Sequence, residues 1–262
     1  MAPISSKAAR SSVKLMLIGN SGSGKTGALT SLVKAGYKLR ILDTDNGLDS
    51  LINHVKDECP ELLDNIDYQS FRDPYTVGVT GPMVKGQPKA AINLVKALDK
   101  WDDGSTPADW DDKTILVLDS LTGFGQSCYA WARAMNPTSK EKRQWYGAAQ
   151  ELLESTIASL TAEAFMPHVI VITHIDMREQ ADGTVAGFAS AIGEALGPKL
   201  PRYFNTMILS ETTGSGSSVR RTLRTRPTAL IALKTPAPMR IDERYPIETG
   251  LHTLFEKLKT QP

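Results

Sequence analysis

A chain of 262 residues, 41% hydrophobic and 23% charged, is long enough for one large α/β domain or one domain with small additions. Its net charge of +1 excludes a chain that is polybasic throughout, so any nucleic-acid surface must be local. Its two cysteines, Cys59 and Cys128, are too few for a disulfide framework and lack metal-ligand spacing. No apolar run reaches the ~18 residues of a membrane span. The first dozen residues are rich in Ser and Ala but lack the apolar stretch of a signal peptide. They are expected to form a disordered tail over 1–12, ahead of a single domain over 13–262, in a cytoplasmic protein.

The first element is the most informative. Leu15-Met-Leu-Ile18 runs into Gly19-Asn20-Ser21-Gly22-Ser23-Gly24-Lys25-Thr26-Gly27, which contains the full P-loop spacing. A buried strand is expected to end at Gly19, and a glycine-rich turn then wraps its N–H groups around phosphates. A helix starting near Lys25 turns its positive end toward them. Gly22 and Gly24 supply conformations that a Cβ would obstruct. Lys25 reaches the β- and γ-phosphates, and the Thr26 hydroxyl takes a position on Mg²⁺. This spacing predicts a site for a nucleoside triphosphate, taken as ATP, over residues 19–27.

Tyr37–Asp43 reads as a second strand ending in Asp43-Thr-Asp45-Asn-Gly47, so its acidic end would lie beside the nucleotide crevice. A helix over 48–54 and a short strand over 65–71 follow. Residues 76–113, rich in Gly, Pro and Asp around a helix from Ala90 to Trp101, read as a surface excursion. Thr114-Ile-Leu-Val-Leu-Asp119 is a central strand delivering a carboxylate, in the manner of a Walker B strand. The competing role for Asp119, capping the next helix, can be filled by Ser120.

Two helices are expected next, over 121–135 and 147–165. Between them the basic and aromatic segment 140–146 is either a solvated helix start or a nucleic-acid contact. His168–His174 is another buried strand, and its end points His174 toward the γ-phosphate unless that residue is merely structural. The stretch 178–187 lacks periodicity and reads as a mobile loop. Strands over 203–210 and 218–226 form a C-terminal antiparallel hairpin around Gly214–Ser217. Arg220, Arg224 and Arg226 share one strand face, either a solvated edge or an anion site. A further strand is expected over 228–234, and a short amphipathic helix over 251–258.

Several P-loop classes are disfavoured. No arginine occurs in 76–113, where a small-molecule kinase would carry its lid, and Thr173-His-Ile-Asp176 lacks the lysine of a guanine-reading motif. Asn20-Ser21 lacks the second lysine of partitioning ATPases. Asp119-Ser120 replaces the Asp-Glu of hexameric AAA+ machines.

Asp-Ser at the Walker B end, an acid after the second strand and a polar residue after the strand following Walker B together resemble the RecA-like recombinase core. More narrowly, His-Ile-Asp-Met-Arg-Glu over 174–179 and Lys234-Thr-Pro are similar to the short RecA-like ATPases of bacteriophages, some of which assist single-strand annealing and recombination. The resemblance implies an α/β fold with a mostly parallel central sheet flanked by helices, and an ATPase using Mg²⁺ held by Thr26 and Asp119. It makes Asp45 the base, where the family more often has Glu, and His174 the γ-phosphate sensor, where Gln is common. It implies that single-stranded DNA binds over 176–190, and that Arg178, Arg220, Arg224, Arg226 or Lys234 reaches DNA or a neighbour's nucleotide in an oligomer or filament. A single-strand-binding protein is a further expected partner. Two other readings stay open: a nucleotide-gated binding module with little turnover, and a kinase or packaging-type motor indifferent to DNA.

Overall fold

The alternation of buried residues along the central strands builds two apolar layers at once. The computed structural model describes residues 12–79, 81–139 and 141–259; the tail expected over 1–12 lies, apart from Ser12, outside them. In chain order the elements are β1 (Lys14–Gly19), α1 (Lys25–Ala28), α2 (Thr30–Lys34), β2 (Lys38–Asp43), α3 (Asp49–Glu58), β3 (Ile66–Ser70), β4 (Tyr75–Gly78) and β5 (Gly81–Val84). They continue with α4 (Ala90–Asp99), β6 (Thr114–Asp119), α5 (Leu121–Met135), α6 (Lys142–Thr161), β7 (His168–Thr173), β8 (Ile175–Glu179) and β9 (Val185–Ala189). The last four are β10 (Thr206–Thr213), β11 (Arg220–Arg224), β12 (Arg244–Pro246) and α7 (Ile247–Lys259).

Eight strands form one sheet in the order β12-β11-β10-β1-β7-β6-β2-β3. All neighbours from β10 to β3 pair in parallel, and β11 and β12 add an antiparallel margin. Met16, Ile18, Leu116, Leu118, Val169 and Val171 point to one face, which α4, α5 and α6 cover. Leu15, Leu17, Ile115, Val117, Ile170 and Ile172 point to the other, under α1–α2, α3 and α7. Burial on both faces is why these strands read as continuous apolar runs rather than alternating ones. No helix among the described residues is long and apolar enough to cross a membrane.

Four expectations are corrected. The stretch 178–187 is part of a hairpin, with Ile175 paired to Ala189 and Glu179 to Val185, and not a mobile loop. The signal for it is Asp182-Gly183-Thr184, where Gly183 takes φ 80° and Asp182 Oδ1 accepts from Thr184. Residues 228–234 form no strand, only isolated bridges from Ile231 to Gly187 and from Lys234 to Met207. Beside β10, which they bridge, there is no room for one, since β10 is flanked by β1 and β11 and leaves only its first residues free. Within 76–113, Ala91, Leu94, Ala97 and Trp101 belong to the core, so α4 is a packed layer and only the β4–β5 hairpin stands out as an excursion. Finally, the helix expected over 147–165 runs from Lys142 to Thr161, so the basic and aromatic residues after Lys140 form a helix start, one of the two readings expected for them.

At the amino end of the sheet, His168 is buried and its Nδ1 accepts from the Val13 N–H at 2.9 Å. Burial, aided by the charges of Lys259 and Lys14, pushes its imidazole down to about 4 from 6.5. The folded state therefore holds it neutral, while the unfolded chain takes up a proton near pH 6.5. The resulting stability is present above pH 6.5 and is lost as pH falls toward 4, amounting to about 3 kcal/mol. Denaturant titrations at pH 7 and 4 should show the parent losing about that much more than His168→Asn, whose amide oxygen can still accept from Val13. Equal losses would refute it.

Candidate nucleotide-binding site

The carboxyl ends of β1, β2, β6 and β7 open on one cleft of about 610 Å³. It lies where the strand order reverses, since β7 and β6 intervene between β1 and β2. The P-loop leaves β1 at Gly19 and turns through Gly22 at φ 74° and Gly24 at φ 92°, both in the left-handed region that glycine takes without strain. Gly19 is excluded from carrying a side chain for another reason. A Cβ there would stand 2.6 Å from the Ser210 carbonyl of β10.

Lys25 is buried, and its ammonium donates to the carbonyls of Gly19 at 2.9 Å and Asn20 at 2.8 Å. It has no carboxylate partner within ion-pair distance among the described residues. Burial lowers its pKa, against the opposing pull of Asp119 and Asp45. A desolvated cation held only by backbone dipoles suits an anionic ligand. Thr26 Oγ1 donates to Asp119 Oδ2 at 2.7 Å. Burial pushes the Asp119 carboxyl up to about 6; the Thr26 bond opposes this, and Asp45 and Asp43 add to it. A buried carboxylate beside a hydroxyl, crowded by two more acids, is a donor set that a hard cation would relieve. Among the described residues no cluster of three or more His, Cys, Asp or Glu could hold a metal unaided. Such an ion would need phosphate oxygens and water to complete its shell.

The end of β2 is shaped by Asp43. It is buried, and its Oδ1 accepts from the N–H groups of Asn46 at 2.9 Å and Asp45 at 3.3 Å, turning the chain. Thr44 ties this turn to β6: its Oγ1 accepts from Ser120 N at 2.9 Å and donates to Ser120 O at 2.8 Å. Ser120 caps α5 by accepting from Gly123 N at 3.3 Å, and its hydroxyl donates to Asp45 Oδ2 at 2.7 Å. The same oxygen lies 3.7 Å from His174 Nε2, just beyond β7. Burial lowers the His174 pKa and the Lys25 charge adds to the effect, while Asp45 pulls the other way.

The structure thus brings Lys25, Thr26, Asp45, Asp119 and His174 around one cleft. It places the other expected residues elsewhere. Arg178 is bound to Asp176 at 2.6 Å and to the Glu194 carbonyl, fastening the β8–β9 hairpin. Arg224 pairs with Glu243 at 3.3 Å, and Arg226 donates to the carbonyls of Pro238 and Ile241. Arg220 and Lys234 are exposed and outside the cleft. Lys234 extends from the segment bridged to Met207, and burial lowers its pKa.

The arginine that does reach the cleft is Arg221, on the opposite strand face. Its Nε donates to Gly22 O at 3.1 Å, and with Ile247 and Glu248 it forms the wall beyond Gly24. The signal was available in the sequence. Leu223 is the one apolar residue of β11 and is fully buried, so Arg221, two residues before it, shares its inward face. The opposite wall carries Ser50 and His54 of α3, four residues apart on one helix face.

A parallel sheet bearing a P-loop at the end of β1 and an aspartate at the end of β6, with β7 between, defines a RecA-like P-loop protein. More particularly, residues 11–236 match the family model described as an AAA domain, and the chain belongs to that family of P-loop ATPases. Among solved structures it is similar to the RadB recombinase, at 18% identity over 91% of this chain and 89% of that one, with a TM-score of 0.48. It is also similar to the flagellar accessory protein FlaH from Methanocaldococcus jannaschii, at 11% identity over 92% and 88% of the two chains, with a TM-score of 0.44. A KaiC-like protein from Pyrococcus horikoshii OT3 matches at 15% identity over 89% and 84%, with a TM-score of 0.41. No curated protein matches the sequence.

Proposed function

We propose that the protein hydrolyses ATP with Mg²⁺ and acts on single-stranded DNA in recombination, annealing or repair, as some short RecA-like ATPases of bacteriophages do. The observation that carries the hydrolytic reading is the Asp45 carboxylate, fixed by Ser120 at 2.7 Å in the cleft that holds Lys25, Thr26 and Asp119. Thr26 and Asp119 would hold the ion, which would supply neutralisation of the phosphate charge. Lys25 exchanges its two carbonyl partners for phosphate oxygens, and Gly22 and Gly24 let the backbone N–H groups close on them. Asp45 orients the attacking water and accepts its proton. His174, 3.7 Å from Asp45 and one residue before β8, senses the γ-phosphate and passes its state to the hairpin. The nucleic-acid part of the reading rests on the family resemblance over 174–190. It extends to assembly as an oligomer or filament, to a single-strand-binding partner and to work in the cytoplasm.

A second reading, a nucleotide-gated module with little turnover, is favoured by the same bond. Asp45 is a methylene shorter than the Glu commoner in the family, and one of its oxygens is already engaged by Ser120.

The test is phosphate release with and without single-stranded DNA, using Lys25→Ala as the blank. Turnover that DNA raises and that Lys25→Ala abolishes is the expected result. Turnover indifferent to DNA would turn the reading toward a kinase or motor. ATP binding without turnover would favour the gated module.

A further inference from the structure

A second concavity, of about 760 Å³, lies on the far side of the sheet's β3 margin, between the foot of the β4–β5 hairpin and α4. Nothing in the nucleotide cleft uses it. Five cations line it, Arg72, Lys85, Lys89, Lys96 and Lys100, against the two carboxylates Asp73 and Asp102. Asp73 is spent locally: its Oδ1 accepts from the N–H groups of Lys89 at 2.7 Å and Ala90 at 3.0 Å, capping α4.

None of the five cations makes an ion pair among the described residues, and all five are exposed. Six cations elsewhere, Arg40, Arg178, Arg202, Arg224, Arg244 and Lys257, are by contrast each paired with a carboxylate. In a chain of net charge +1, such a cluster is a local departure.

Its layout is linear. Lys89, Asn93, Lys96 and Lys100 stand at intervals of four, three and four residues, so they follow one stripe of α4 from its N-terminal cap, Lys89, to its C-terminal cap, Lys100. Ala91 and Leu94, turned away from that stripe, are buried in the core, which fixes the orientation of the row. At 1.5 Å per residue the row runs for about 16 Å. On the rim, β4 pairs Tyr75 with Val84 and Val77 with Pro82, giving the hairpin an apolar face on which Tyr75 is 69% exposed.

We propose that this groove binds the phosphodiester backbone of single-stranded nucleic acid, with Tyr75 as a stacking platform at its edge. A row of unpaired cations along a concave floor fits a linear polyanion better than the flat surface of a membrane. Tyr75 is exposed and follows Pro74, which lines the groove, and its ring can be used by unpaired bases and not by bases stacked inside a duplex. The inference rests on the reading that nucleic acid is the partner, but it places contacts on the opposite side of β2 from β8–β9, where the family resemblance puts none.

The test is fluorescence anisotropy of a labelled oligothymidylate with the full chain, across a salt series. The triple variant Lys89→Gln/Lys96→Gln/Lys100→Gln should bind at least tenfold more weakly, with the slope of log affinity on log salt reduced by about 2, since each phosphate contact on a single strand contributes about 0.7. Tyr75→Ala should lose about tenfold with little change in slope. Unchanged thermal unfolding and DNA-free ATP hydrolysis would show that these variants remain folded. Binding by the triple variant at the parent's affinity and slope would overturn the groove while leaving nucleic acid as the partner. Failure of the parent itself to bind would remove both readings. Equal affinity for duplex would overturn the stacking role, and binding only to phosphatidylserine vesicles would replace the strand with a membrane.

Discussion

Replacing Asp45 by asparagine should lower ATP turnover by about 10²–10⁴-fold while leaving nucleotide affinity close to the parent's. The substitution is nearly isosteric. Its amide oxygen can still accept from Ser120 Oγ, so the turn after β2 and the cap of α5 keep their hydrogen bonds. What it removes is a group able to take a proton from water. On the proposed reading affinity survives, because the P-loop backbone and Lys25 would still hold the phosphates, and Thr26 and Asp119, joined at 2.7 Å, would still hold the ion. Single-turnover phosphate release and equilibrium binding of a fluorescent ATP analogue separate the two effects. Parental turnover by Asp45→Asn would remove the base assignment and leave the phosphate cradle standing.

Gly123→Ala should be nearly as damaging to turnover, although it adds one methyl group at a site remote from the phosphates. Gly123 sits in the first turn of α5, where alanine would ordinarily gain up to about 1 kcal/mol of helix propensity. Here the added Cβ would lie 2.2 Å from Asp45 Oδ1, 2.5 Å from Thr44 Oγ1 and 3.0 Å from Thr44 Cβ. Asp45 can swing away, but Thr44 cannot, because its side chain and N–H bind the backbone of Asp119 and Ser120. Overpacking of this kind costs about 1–3 kcal/mol, which outweighs the propensity gain. The methyl group therefore expels the Asp45 carboxylate from its place and strains the junction of β2 with β6. A double-mutant cycle tests the route: Gly123→Ala should add little further loss of turnover once Asp45→Asn is present. Additive losses would mean that the glycine acts through something other than Asp45.

How much of this was readable beforehand depended on distance along the chain. The P-loop, the Asp119 strand and the two-faced core were legible because each is written in adjacent residues: a glycine spacing, or a run of apolar β-formers. The β8–β9 hairpin was legible in part, through Asp182-Gly183, but Met177, 46% exposed, and Gly187 blur the alternation. Residues 228–234 have a strand's composition, but beside β10, where they bridge to Met207, β11 already takes the remaining edge, which only the assembled topology reveals. The arginines illustrate the limit most clearly. Period-two alternation correctly grouped Arg220 with Arg224, but charge density drew attention to that face, while Leu223 had already assigned the inward face to Arg221. The Ser120–Asp45 bond joins residues 75 positions apart and had no local signature.

The C-terminal helix α7 lies beyond the residues that match the family model, and it is part of the core. The stretch shared with its family stops at residue 236, yet Leu251, Leu254 and Phe255 fill the layer beneath α1–α2, and Ile247 closes the cleft beside Gly24. A fragment trimmed to the shared stretch would keep every residue of the phosphate cradle and lose the wall that keeps water out from under it.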